Sequence, residues 1–346
     1  MHPLRYLLAP LSWPYWAVVK LRNLAYSCGL LRSHVPPLRT ICVGNLTVGG
    51  TGKTPHTEYL LRLLSLHMPV AVLSRGYRRQ SKGFVEVQDS STALQVGDEP
   101  LQMKRKFPHV TVAVDADRVA GVAALRQAHP ELQLVLLDDA FQHRRISPGL
   151  SVLLADYRRP MHRDLLLPAG SLRDSFAERS RAHIVVVTKC PPALGPADMA
   201  RIERQLRLHE SQQLYFTRMA YGPLRPLLGG EAQPMPSRAA ALCGIARPEP
   251  FLEHLQAHTQ LVAKAVFPDH HHFAKREIMS IFERLSRLGL ADVPLITTEK
   301  DAVRLAHLGL PCNVEQLIMY QEISVEFVGN QAKQFNEAIM RYAREV

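Results

Sequence analysis

RTICVGNLTVGGTGKTPHTEYLLRLL, residues 39–64, places an apolar strand, a glycine-rich turn and a helix-forming stretch in immediate succession. The turn, Thr47 to Thr54, has the form of a phosphate-binding P-loop. In such a loop Gly49, Gly50 and Gly52 let backbone N–H groups cradle phosphate at a helix N-terminus, Lys53 reaches the β- and γ-phosphates, and the Thr54 hydroxyl ligates magnesium. Thr47, Val48 and Thr51 complete the cradle, with Thr47 standing where the usual pattern has its first glycine. The strand before and the helix after supply the context that a chance glycine-rich turn lacks.

Outward from this stretch, short apolar runs alternate with helix-like segments. The predicted strands are Thr40 to Val43, Val70 to Leu73, Val110 to Val114, Leu132 to Leu137, Ser151 to Ala155 and Ile184 to Val187; Thr57 to Leu66 and Arg118 to Gln127 read as helices. This pattern predicts a P-loop NTPase-like α/β fold, a doubly wound and mostly parallel sheet whose ligands sit beyond the carboxyl ends of the strands. A proline-rich stretch, Pro191 to Pro196, and a loop-rich stretch, Gly222 to Pro236, suggest a boundary. The expected organisation is a membrane-anchoring interfacial segment over residues 1–35, a P-loop kinase core over 36–220 and a second, smaller α/β domain over 221–346.

P-loop proteins hold their magnesium shell with an acidic group at the end of a neighbouring strand. LQLVLLDDA supplies Asp138 and Asp139 after an unbroken apolar run. Weaker clusters are Gly97-Asp98-Glu99-Pro100, Leu167-Pro168-Ala169-Gly170 followed by Arg173, and Phe267-Pro268-Asp269-His270-His271-His272. Consecutive side chains diverge in any regular element, so the triple histidine is a poor zinc site. One of these histidines is better suited to orienting, or taking protons from, a carboxylate that acts as base.

The 346 residues are 47% hydrophobic, enough for two modest domains. A formal charge of +11 implies anionic partners, but no run of five or six basic residues marks a nucleic-acid tail. Five scattered cysteines without CxxC pairing read as reduced thiols. From Tyr6 to Val19 the chain carries no charge, yet fourteen helical residues reach only about 21 Å against a hydrocarbon core of roughly 30 Å. Pro10 and Pro14 are expected to interrupt it. Two readings stay open: an interfacial element with Trp13, Tyr15, Trp16 and Tyr26 in the headgroup layer and Arg5, Lys20, Arg22 and Arg32 against anionic lipid, or a helix packed on the protein's own core.

Seven motifs in order, GNLTVGGTGKTP (44–55), SRGY (74–77), GDEP (97–100), DDAFQHRR (138–145), LPAG (167–170), FPDHH (267–271) and TEKDAVR (298–304), resemble the tetraacyldisaccharide 4'-kinase family over nearly the whole chain. Ala140 departs from the family's usual glycine in DDGFQH. The resemblance implies a phosphotransferase with an alcohol acceptor, carrying the γ-phosphate of ATP to the 4'-hydroxyl of an acylated glucosamine disaccharide 1-phosphate. The product would be lipid IVA, a late step of lipid A biosynthesis, made at the cytoplasmic face of the inner membrane of Gram-negative bacteria. It further implies that Asp98 is the base, paired with His270 in preference to His271. Asp138 and Asp139 would serve Mg2+, while Glu99, Arg118 and Arg173 would support phosphates or substrate.

Two rival readings are weaker. A P-loop GTPase switch would need a guanine-reading NKxD near VVTKC (186–190), but Thr188 replaces the asparagine and Pro191 the aspartate. A nucleic-acid-binding protein would need clustered charge or a recognised fold, and the chain has neither.

Overall fold

A computed structural model describes residues 8–345, so Arg5 and Tyr6 of the N-terminal run lie outside the described residues. The principal elements among the described residues are α1 (Ala9–Ser27), then β1 (Arg39–Asn45), α2 (Lys53–Leu64), β2 (Val70–Ser74), β3 (Val85–Glu86), α3 (Asp98–Lys106), β4 (Thr111–Val114), α4 (Arg118–Ala128), β5 (Leu134–Asp138), β6 (Leu150–Asp156), β7 (Ile184–Thr188), α5 (Pro196–Leu206) and β8 (Gln213–Pro226). They end with β9 (Arg238–Cys243), α6 (Glu249–His258), β10 (Gln260–Val266), α7 (Lys275–Arg287), β11 (Leu295–Thr298), α8 (Glu299–Leu305), β12 (Ile318–Phe327) and α9 (Gln331–Arg344).

These strands form one sheet, ordered β10-β9-β11-β12-β8-β7-β6-β1-β5-β2-β4-β3. β1 lies between β5 and β6 and is parallel to both, with Val43 opposite Asp138. Helices cover both faces, so β2, β5, β6 and β7 are buried at every residue and read as continuous apolar runs. The carboxyl ends of β1, β2, β5, β6 and β7 deliver Asn45, Ser74, Asp138, Asp156 and Thr188 to one edge of the sheet. The P-loop sits at that edge, as the doubly wound arrangement requires.

The loop-rich reading of residues 222–236 fails at its start. β8 continues through Gly222 and Pro223, parallel to β7 over its first residues and antiparallel to β12 afterwards. Gly222 and Pro223 fall at a register shift, where the ladder does not need a proline N–H. The last helix also returns to the first part of the chain: Phe335, Ile339 and Ala343 of α9 join the core that holds Ile41 and Val152. The Tyr342 hydroxyl donates to the Thr40 carbonyl at 3.1 Å.

Pro10 and Pro14 do not interrupt α1. Pro10 lies in the first turn, where its missing N–H costs nothing, and Pro14 removes one helical hydrogen bond. The helix packs its polar side inward: the Ser12 hydroxyl donates to Leu166 O at 2.9 Å, the Tyr15 hydroxyl to Arg173 O at 2.8 Å, and buried Asn23 to Asp174 at 2.8 Å. Trp13 (73% exposed), Trp16, Val18, Leu21 and Leu24 face outward. The helix therefore packs one face on the protein, with Tyr15 on that side, and leaves the opposite face exposed. No helix among the described residues is long and apolar enough to cross a membrane.

Candidate active site

Gly52 caps α2 with φ +88°, a left-handed conformation that a side chain would strain, and Gly49 has φ +92°. The turn is held from several sides. Asn45 Nδ2 donates to Thr51 Oγ1 at 2.9 Å, Thr188 Oγ1 to Thr51 O at 2.9 Å, and Arg159 to Val48 O at 3.3 Å. Lys189 donates to Gly50 O and pairs with Asp156 at 3.1 Å. His56 completes the set, with Nδ1–H donating to Gly52 O at 2.7 Å and Nε2 accepting from the Thr217 hydroxyl at 3.0 Å. Burial pushes His56 down to about 4, so it works as a neutral spacer.

The two acids after β5 are not equivalent. Asp138 is fully buried and accepts from the hydroxyls of Thr57 at 3.2 Å and Ser74 at 3.1 Å. Asp139, with φ +46°, is a third exposed and pairs with Lys53 at 3.7 Å and Arg173 at 3.1 Å. Burial pushes the Asp138 carboxyl up to about 7, helped by Glu99 and Asp139 and opposed by Lys53. At Asp139 burial acts the same way but is outweighed by Lys53, Arg173 and Arg118, which hold it below the usual range. Two hard carboxylates at the end of β5, one bonded to Thr57 of the P-loop helix and the other paired with Lys53, are a donor set that suits Mg2+.

Arg118 is placed differently from a phosphate ligand. It is 2% exposed, and its guanidinium donates to the carbonyls of Asp115 at 2.9 Å and Asp138 at 3.1 Å. Its charge is thus spent on the backbone at the end of β5. Arg173 reaches both Asp139 and, at 2.5 Å, the Asn45 side chain, which places it over the cradle.

Asp98 opens α3, where the helix dipole favours a carboxylate. Gly97 precedes it at φ +94°, and a Cβ there would meet Tyr77 O at 3.2 Å. His270 Nδ1 lies 3.2 Å from Asp98 Oδ2, and Tyr77 packs against the imidazole with centroids 5.5 Å apart. His271 turns the other way, to Glu277 at 3.0 Å and to the Phe267 ring. Two cations from α8 complete the group: Arg304 donates to Asp98 Oδ2 at 2.5 Å, and Lys300 Nζ lies 3.3 Å from His270 Nε2. Buried Asp301 fixes Arg304 at 2.8 Å while accepting from Gly244 N and the Thr298 hydroxyl. Burial alone would raise the Asp98 carboxyl, but the His270 and Arg304 hydrogen bonds and the Arg304 and Lys300 charges hold it far below the carboxylate range. Glu99, the next residue, lies close enough to Asp138 to raise it, so α3 aims this group at the P-loop edge.

Sequence reasoning missed Thr57, Ser74, His56, Thr188, Lys189, Lys300 and Arg304 as site residues. Thr57 stands one turn beyond Thr54 on the same helix, and Lys300 and Arg304 are spaced i, i+4 in TEKDAVR, so a helical reading carried a signal for those three. His56 lies on that same helix without a pattern that marks its role, and Ser74, Thr188 and Lys189 are brought in by separate strands.

Fold and cradle together define a P-loop phosphotransferase, in which Asp98 and His270 also meet. The sequence matches the tetraacyldisaccharide-1-P 4'-kinase family over residues 4–344. It is 46% identical to the tetraacyldisaccharide 4'-kinase of Bacteroides thetaiotaomicron, covering 98% of this chain and 93% of that one, and 41% identical to that of Flavobacterium johnsoniae, covering 100% and 99%. The crystal structure of Aquifex aeolicus LpxK in complex with ATP superposes with a TM-score of 0.76 at 27% identity, covering 98% of this chain and 99% of that one. The chain belongs to the tetraacyldisaccharide 4'-kinase family.

Proposed function

We propose that this protein transfers the γ-phosphate of ATP to the 4'-hydroxyl of an acylated glucosamine disaccharide 1-phosphate, giving lipid IVA, at the cytoplasmic face of a bacterial inner membrane. Within the family, the observation that carries the reading is the contact of Asp98 with His270. Segments 172 residues apart meet there, beside the residue that crowds Asp138. The test is incubation with γ-labelled ATP and tetraacyldisaccharide 1-phosphate, followed by chromatography of the lipid. Label in the 4'-phosphorylated lipid supports the reading; label released only as inorganic phosphate overturns it.

In the proposed mechanism the P-loop amides and Lys53 hold the β- and γ-phosphates, and Arg173 supports them from the side. Mg2+, held through Thr54, Asp138 and Asp139, would neutralise charge shared by those phosphates. Arg118 acts as a positioning residue, since it anchors the backbone that carries both acids. Asp98 receives the sugar hydroxyl. Its Oδ2 is engaged by Arg304 and His270, which leaves Oδ1 to accept from the acceptor. So depressed a carboxylate is a weak base, but the transition state of phosphoryl transfer is loose, and the attacking oxygen sheds its proton late. Orientation and a late proton acceptor suffice. Asp139→Asn and Asp138→Asn should each raise the Mg2+ concentration needed for half-maximal turnover. A magnesium titration unchanged in both variants would remove these acids from the metal site.

The outward face of α1 gives the membrane reading its physical basis, because contiguous exposed apolar side chains mark an interaction surface. Lys20, stacked over Trp16 at 4.6 Å, adds charge suited to anionic lipid, and nothing in the charge pattern calls for nucleic acid. Burying a large apolar side chain contributes about 1.5 kcal/mol or more. Replacing Trp13, Leu21 and Leu24 together by Ser should thus reduce partition onto vesicles containing anionic phospholipid by about a hundredfold or more. The melting temperature should stay unchanged, because these side chains face away from the protein. Undiminished vesicle binding would exclude this face as the anchor.

A further inference from the structure

A buried ionic chain crosses between the nucleotide-binding part and the second part of the molecule. Glu58 lies on α2, the helix whose first turn is the phosphate cradle. Lys106 ends α3, the helix that Asp98 begins. Glu299 begins α8, the helix that carries Lys300 and Arg304. The Lys106 ammonium sits 2.7 Å from Glu58 Oε2 and 2.7 Å from Glu299 Oε1, while Gln102 donates to Glu58 Oε1 at 2.7 Å. The other Glu299 oxygen accepts from Ile323 N at 3.4 Å. The three ionic side chains are only 14%, 3% and 9% exposed.

This arrangement ties α3 to α8 at both ends. Arg304 holds Asp98 at one end, Glu299 holds Lys106 at the other, and about 12 Å of helix separates the two ties. Two ties fix both the slide and the tilt of α3 against α8. Glu58 adds a third, from α3 back to the helix beneath the transferring phosphate. Apolar packing does not close this gap unaided, because Gln102, Lys106 and Glu299 also line a cavity of about 390 Å³ between α3, α8 and residues 227–229. A buried cation between two carboxylates is costly to desolvate, and well-packed apolar groups would hold helices together at least as strongly. What the ionic chain adds is a defined distance. Burial, and then Glu299, push Glu58 up to about 7 against the pull of Lys106. Burial would lower the Lys106 ammonium, but Glu58 and Glu299 outweigh it and keep it charged.

We propose that Lys106 is a positioning residue for phosphoryl transfer: by bridging Glu58 and Glu299 it sets the separation between the phosphate cradle and Asp98. The inference rests on Asp98 as the acceptor-side group. A misplacement of about 1 Å at a reacting centre costs on the order of a hundredfold in rate.

The test compares Lys106→Met, Lys106→Arg and the charge-free triple Glu58→Gln/Lys106→Met/Glu299→Gln. The triple leaves no buried carboxylate uncompensated and so keeps the test open if the single variant folds poorly. Lys106→Met and the triple should bind ATP as the parent does, keep KM for ATP, and lose kcat by about ten- to a hundredfold. Lys106→Arg should recover most of that loss. Combining Lys106→Met with Asp98→Asn should cost little beyond Asp98→Asn alone, since the bridge acts through Asp98. A folded triple variant with parental kcat would make the bridge merely structural and overturn the proposal, as would losses that multiply independently. A loss in Asp98→Asn with none in Lys106→Met or the triple overturns this proposal and leaves the Asp98 reading standing. Normal turnover in Asp98→Asn overturns the Asp98 reading, whatever Lys106 does.

Discussion

Lys53→Ala should lower phosphate transfer by roughly a thousandfold or more, because the phosphates then lose the cation nearest the migrating group. The structure adds a second route to the same loss. Lys53 pairs with Asp139 at 3.7 Å and is the principal charge opposing the burial that pushes the Asp138 carboxyl up to about 7. Without it Asp138 moves further up and carries its proton at neutral pH, and a protonated acid is a poor magnesium ligand. The variant should therefore also need more Mg2+ and bind ATP less tightly in its presence. Raising the pH should recover part of the metal affinity and none of the direct contact to phosphate. Initial rates of label transfer at several magnesium concentrations, at pH 7 and pH 9, separate the two routes. Near-normal turnover would mean that the loop does not hold the transferring phosphate.

Asp98→Asn keeps the size of the side chain and its hydrogen bonding but removes the proton acceptor, so turnover should fall by about a hundredfold or more while ATP still binds. His270→Ala should cost activity alone and little more when added to Asp98→Asn, since members of one catalytic unit fail together. His271→Ala, which loses only a contact to Glu277 and Phe267, is the control. The pH profile is informative in sign. Asp98 is held below the usual carboxylate range, so its charged form and the stability it brings persist above that range and are lost only as pH falls through the depressed value. An acidic limb between pH 5 and 7 belongs to another group, and Asp98→Asn should leave such a limb in place. Independent multiplication of the Asp98 and His270 losses, or coupling of Asp98 with His271 instead, would dissolve the pair.

The local parts of this molecule were legible because their causes are local. A strand, a glycine-rich turn and GKT specify a phosphate cradle through backbone geometry alone, and apolar runs of four to seven residues specify buried parallel strands. Asp138 and Asp139 follow an apolar strand, and the adjacency of that strand to the P-loop strand is the ground for the metal role proposed for them. β8 was only partly legible. A proline and a glycine reduce strand propensity, and the register shift that accommodates them exists only once β12 lies alongside.

What the sequence by itself determined is the nucleotide-binding half of the chemistry: the P-loop, its paired acids and the doubly wound sheet that presents them, all readable from periodicity and from residues close in the chain. The group proposed for the acceptor side was assembled by tertiary structure. His270, in the loop after β10, meets Asp98 only in the folded chain, where α8 docks against α3 and Arg304, Lys300 and Lys106 gain their partners. The inward and outward faces of α1 likewise separate only against residues 166–174. The physical reason is range. Hydrogen bonding and chain stiffness act over a few residues and leave a pattern in the sequence, whereas a charge is tuned by whichever groups packing brings within a few ångströms, and here those groups lie up to 206 residues away.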